Sequence, residues 1–130
     1  MVFSVNWLDS VSLNLINKNL DGLWTRQQAI SDNIANYETP GYKVKQISFE
    51  DALRKQFKKT ATENDLINNI KNTQPELTVL DNETMRLDDN GVDLEKENIE
   101  LVRTQLNYYY SLQQISDQFS RLRTVIKGGQ

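Results

Sequence analysis

Ser31 to Lys43, SDNIANYETPGYK, closes a long amphipathic run and then stops it abruptly. Pro40 disfavours helical backbone at Thr39 and presets its own φ, while Gly41 accepts φ > 0, so Thr39-Pro40-Gly41-Tyr42 fits a type II turn. The helix ahead of it therefore ends near Asn36. Asn36 suits the region just past the last turn, where Asn tolerates left-handed backbone. Asn33 sits one turn earlier, within reach of the loop carbonyls that a helix end leaves orphaned. From spacing alone both are equally at home as solvated surface residues. In this reading Tyr42 packs back over the turn and Lys43 starts an extended strip.

Upstream, Leu13, Ile16, Leu20, Leu23, Ile30 and Ile34 recur at spacings of three and four, with Gln27 filling the one missing step. That is a heptad seam, and it predicts one helix from about Val5 to Asn36. Leu8, Val11 and Leu15 lie off the seam, and Trp7 and Trp24 add large surfaces, so this helix needs more than one neighbour. Downstream, Asn90-Gly91 reads as a turn and Asp93 as an N-cap, with Glu95 and Glu97 favouring the positive end of the helix dipole. Leu101, Tyr108, Leu112, Ile115, Phe119, Leu122 and Ile126 then mark a second seam, beside a stripe of Ile99, Val102, Leu106 and Tyr109. Lys127 complements the helix end and Gly128-Gly129 stops it. Each terminal helix is roughly 45 to 50 Å long at the α-helical rise, and the matched lengths predict that they pair.

Between them Lys43 to Ile47 alternates like a short strand, and Ser48-Phe49-Glu50-Asp51 resembles a capping box opening a helix to about Lys58. Lys59 to Asn90 is polar, with Pro75 inside it, and reads as loop with one or two brief elements. The expected fold is mainly α: two long terminal helices pairing as an antiparallel, coiled-coil-like hairpin around a mostly irregular middle. The segments are 1–42, 43–90 and 91–130. Both helices carry apolar stripes beyond the shared seam. Two arrangements cover them: packing against other chains, or a middle segment folded back as a third layer of a monomeric domain. The apolar content favours assembly.

At 130 residues, 38% hydrophobic and 25% charged, the composition is ordinary for a soluble domain, and no apolar run is long enough to span a membrane. The opening MVFSVNWLDS lacks the basic region, apolar block and cleavage site of a secretory signal. With no cysteine and no histidine, disulfides, thiolate sites and the commonest acid/base side chain are excluded. No catalytic, metal or cofactor residue is expected. Glu95, Glu97 and Glu100 read as helix-start charges rather than as an acid/base set. The net charge of −3 is polarised: residues 73–100 hold nine acids against Arg86 and Lys96, whereas Arg103, Arg121, Arg123 and Lys127 face only Asp117 beyond them. Four spread cations on an acidic chain are a weak footprint for nucleic acid, and none is expected as a partner.

The run NIANYETPGYK resembles the N-terminal signature of the bacterial flagellar rod and hook proteins, Asn-Ile-Ala-Asn, two variable residues, then Thr-Pro-Gly-Tyr. Asn33, Ile34, Ala35, Asn36, Thr39, Pro40, Gly41 and Tyr42 all match. Tyr37-Glu38 stands where small or Asn/Asp residues are commoner. The C-terminal segment GVDLEKENIELVRTQLNYYYSLQQISDQFSRLRTVIKGG is similar to that of proximal rod proteins, as is the total length. The resemblance implies a structural subunit of the periplasmic basal-body rod, exported unfolded by the flagellar type III apparatus. It also implies partners: copies of itself, other rod proteins, a ring adaptor and the export gate. Another rod subunit of this family, or a soluble helical-hairpin adaptor or chaperone, is the alternative.

Overall fold

The computed structural model describes residues 10–59, 62–80 and 91–128. In chain order the elements are α1 (Val11–Ala35), β1 (Lys45–Ser48), α2 (Glu50–Lys59), α3 (Glu63–Asn72), β2 (Glu76–Val79) and α4 (Leu94–Gly128). α1 begins later than the heptad pattern suggests. Ser10 is extended, with φ −72 and ψ 150, and its hydroxyl accepts the Leu13 N–H at 3.2 Å. A serine in that position caps the start of a helix, so the helix expected from Val5 does not run through Ser10. Residues 5–9 of that expectation lie outside the described residues. α4 starts where expected: the Asp93 carboxylate accepts the Lys96 N–H at 3.2 Å.

The middle segment turns back onto α1. β1 and β2 pair antiparallel, Lys45 opposite Val79 and Ile47 opposite Leu77. Within the stretch read as loop, α3 and β2 are the two brief elements, α3 capped by Thr62. Leu23 and Ala29 of α1 bury against Ile47, Phe49, Leu53 and Ile70, with Leu15, Leu66 and Tyr108 around them. The helices are therefore not left with a bare connector. Ile67 and Ile70 share one face of α3, Ile47 and Phe49 alternate out of the strip, and together they supply a third wall. Apolar content alone favours assembly over this arrangement. The connector's few apolar residues nevertheless form this layer, because they converge on one side of α1, and they leave the outer stripe of α4 uncovered.

Gly22 marks the closest approach. A Cβ built there would stand 2.5 Å from the buried Phe49 ring, so only glycine lets the ring lie on the α1 backbone. α1 is the shared element, with β1 and α3 on one side and α4 on another; α4 has substantial contact with α1 alone.

Candidate functional site

The α1–α4 seam is built from polar rungs. Asn33 Nδ2 donates to Glu97 Oε2 at 3.0 Å, Asn19 Nδ2 to Ser111 Oγ at 2.7 Å, and Gln118 Nε2 to Ser12 Oγ at 2.7 Å. From Ser12 to Asn19 and from Ser111 to Gln118 the step is one heptad, and Thr104, 2% exposed, lies one heptad from both Glu97 and Ser111. The buried residues of α4 are thus Glu97, Thr104 and Ser111, none of them apolar. Flanking these rungs Leu101, Tyr108, Ile115 and Leu122 are half-buried, but the other large apolar side chains point outward: Ile99, Val102, Leu106, Tyr109 and Tyr110 are each more than half exposed. A surface helix of a self-contained domain has the opposite sidedness.

The residues expected on the seams divide accordingly. On α1, Leu13, Leu23 and Ile30 are buried and Ile16, Leu20 and Ile34 half-buried. On α4 the apolar pattern merges two lines. Leu101, Tyr108, Ile115 and Leu122 lie half-buried beside the polar rungs, whereas Leu112, Phe119 and Ile126 are exposed, Ile126 at 74%. A spacing of three or four joins neighbouring lines of a helix without saying which one meets the partner.

Asn33 holds the hub that ties turn, strand and α4 together. At 1% exposure its amide makes four hydrogen bonds. Nδ2 donates to the Lys45 carbonyl at 2.8 Å and to Glu97, while Oδ1 accepts the Lys45 N–H at 2.9 Å and the Tyr42 hydroxyl at 3.2 Å. It is neither solvated nor bound to the orphaned end of its own helix. Asn36 fills that role instead, its Nδ2 donating to the Asp32 carbonyl at 2.8 Å and its Oδ1 accepting the Thr39 hydroxyl at 3.1 Å. Its backbone, φ −101 and ψ 18, is not left-handed, contrary to expectation; the left-handed residue is Gly41, with φ 71. The Tyr42 N–H closes the turn onto the Thr39 carbonyl at 3.3 Å. Ala35, Thr39, Pro40 and Gly41 remain exposed.

One heptad before Asn33, Arg26 makes a comparable set of bonds. Its guanidinium donates to the Ile47 carbonyl at 3.1 and 3.2 Å and to Glu50 at 2.7 Å, and lies 4.8 Å from the Phe49 ring centroid. Burial pushes the Glu50 carboxyl up, but the Arg26 hydrogen bond and charge and nearby backbone N–H groups outweigh it, and the net shift is downward. Glu97 is the reverse case. Burial pushes its carboxyl above the usual range; Asn33 and Lys96 oppose that, while Glu100 and Asp93 add to it. Burial likewise raises the Tyr42 phenol. Glu97 is therefore no simple helix-start charge: with 7% exposure it belongs to the seam.

A cavity of about 300 Å³ beside the hub is lined by Arg26, Lys45, Lys96, Glu97 and Glu100 among others. Among the described residues no cluster of three or more acids could hold a metal ion, and no helix is long and apolar enough to cross a membrane. Sequence reading missed Arg26, Glu97, Thr104 and Ser111. The signal was present as a heptad of small polar residues on each helix, Ser12 and Asn19 against Ser111 and Gln118.

Residues 23–43, which include the end of α1 and its turn, match the family described as Flagella basal body rod protein. Over 131 aligned residues the chain is 35% identical to the Flagellar basal body rod protein FlgB of Borreliella burgdorferi, covering 89% of this chain and 96% of the relative. The protein of the same name from Bacillus subtilis is 32% identical over 108 residues, 80% of this chain and 84% of the relative. That from Escherichia coli K12 is 28% identical over 116 residues, with the same coverage.

Proposed function

The chain belongs to the FlgB family of flagellar basal body rod proteins and is a structural, non-enzymatic subunit of that rod, and from this premise we propose that its outward α4 face packs against neighbouring subunits. The inverted sidedness of α4 carries the reading. Its polar rungs meet α1, and its apolar stripe faces away from the chain. Buried between subunits, Ile99, Val102, Leu106 and Tyr109, with Leu112, Phe119 and Ile126 further along, would each remove an apolar surface from water.

In this reading the contacts are heterologous, so they propagate instead of closing, and torque passes through many of them in parallel around the export channel. Leu13, Ile16, Leu20, Leu23, Ile30, Ile34, Leu101, Tyr108, Ile115 and Leu122 hold the hairpin that presents the face. The turn from Asn33 to Tyr42 fixes the start of segment 43–90, at β1, against α1 and α4. The neighbours are copies of the chain, other rod proteins, the ring adaptor and the export gate, in a periplasmic rod reached unfolded through the flagellar type III route.

Leu106→Asp tests this, because Leu106 is 51% exposed and outside the core cluster. The purified variant should keep its thermal melt within about 0.5 kcal/mol of the parent, while cells carrying it build no complete rod and do not swim. Complete rods in that strain would remove the α4 face from the assembly.

A further inference from the structure

The two outer edges of the β1–β2 sheet are treated differently. On β1 the outward main-chain groups belong to Lys45 and Ile47. Asn33 bonds both the N–H and the C=O of Lys45, and Arg26 bonds the C=O of Ile47. Two side chains of α1 therefore occupy three of that edge's four outward groups. On β2 the register sets Leu77 opposite Ile47 and Val79 opposite Lys45, and the Leu80 N–H to Val44 C=O bond at 2.9 Å fixes which pairs are hydrogen-bonded. Leu77 and Val79 fall in the non-bonded pairs, so their N–H and C=O groups point away from β1. Among the described residues nothing bonds them. Their side chains are 55% and 50% exposed, and no lysine, proline or bulge within the strand blunts the edge.

We propose that this open edge pairs antiparallel with β2 of a second copy of the chain, joining two hairpins into one four-stranded sheet. The strand is self-complementary about Thr78. Centred there, Leu77 of each copy exchanges both main-chain bonds with Val79 of the other, and the same two side chains meet on one face. Charge selects this orientation. Antiparallel pairing sets Glu76 opposite Leu80 and separates the two Glu76 carboxylates by four rungs, roughly 13 Å, beyond the screening length in physiological salt. Parallel pairing would place Glu76 beside Glu76. A two-fold contact closes and does not propagate, so the pair is a form of the unassembled chain. It is independent of the α4 face.

The chain has no cysteine, so a single introduced thiol is a clean reporter. Thr78→Cys would place two sulfurs across the two-fold in a non-hydrogen-bonded pair, where Cα atoms are about 4.5 Å apart, within disulfide reach. Mild oxidation of the full chain should give a cross-linked dimer, well above the yield from Lys55→Cys, an exposed control on α2. Adding Val79→Pro removes an outward N–H and the side chain that meets Leu77 but no bond to β1, and should cut the dimer about tenfold or more, with the circular dichroism unchanged. A Thr78→Cys dimer no more abundant than the control, or one indifferent to Val79→Pro, overturns the proposal. So does cross-linking to a different rod protein alone in co-expressing cells, which would assign the edge to a foreign strand.

Discussion

On α1 the buried positions are Leu13, Leu23, Ala29 and Ile30, with Asn14, Gly22 and Asn33 among them; on α4 they are Glu97, Thr104 and Ser111. The two helices are partners in one hairpin, yet α1 directs most of its apolar residues into the chain, whereas α4 half-buries only Leu101, Tyr108, Ile115 and Leu122 and directs the rest away from it. Burial on α1 is a matter of folding. On α4 the polar rungs contribute register more than energy, because a net hydrogen bond adds only about 1 kcal/mol whereas a misaligned rung leaves a buried group unpaired. The outer apolar surface of α4 stays exposed, the face proposed to meet other subunits.

The sharpest way to break this comparison is at Asn33, where both helices meet the strand. Asn33→Ala would strand the Lys45 N–H and C=O and take from Glu97 its donor, all within a site 1% exposed. A loss of about 4 kcal/mol in a urea melt is expected. A loss below about 1 kcal/mol would show that water or a neighbouring group replaces the amide and that the hub does not hold the layers.

Gly22→Ala comes next and addresses α1 alone. On a solvent-exposed helix face this change stabilises by about 1 kcal/mol. Here the added methyl would stand 2.5 Å from the Phe49 ring, which is 2% exposed and must shift to admit it, so the sign should reverse to a loss of about 2 kcal/mol. Phe49→Leu in the same chain should recover part of it. If Gly22→Ala stabilises, the ring is not seated on α1.

Local chemistry was legible in the sequence and long-range partnership was not. Pro40 and Gly41 announce the turn, Asp93 announces the start of α4, and the heptads announce a helix pair, because each acts within a few residues of itself. The sidedness of α4 was hidden. Leu101, Tyr108, Ile115 and Leu122 interleave with Leu112, Phe119 and Ile126 at the same spacings, and a buried Thr104 or Ser111 has the composition of surface. Asn33 was found as part of a motif, but its partners lie 12 and 64 residues away. Nothing local to SDNIANYETPGYK names Glu97. The third layer, open in the sequence only as the less favoured of two arrangements, was underweighted for a related reason. Ile67 and Ile70 are sparse apolar residues in a polar stretch, and they matter only because α1 offers them a buried place.

Glu97→Gln is the gentlest probe and separates the two roles of the seam, register and charge. Glutamine keeps the shape and an oxygen for Asn33 Nδ2 but cannot ionise. Because burial raises the Glu97 pKa in the folded chain above 4.5, both states are protonated well below that value and the carboxyl costs nothing there. As the pH rises through 4.5 the unfolded chain releases its proton first, so the folded state binds more protons and stability falls until the folded pKa is passed. Glu50 runs the other way. Its lowered pKa adds stability above 4.5 that is lost as the pH falls through the folded value, in parent and variant alike. The difference between the two melts therefore isolates Glu97: near zero in acid, growing with pH, with Glu97→Gln the more stable chain at neutrality. A difference that does not change with pH would mean that the carboxylate is solvated in the folded chain. The polar rung at that end of the seam would then be open to water.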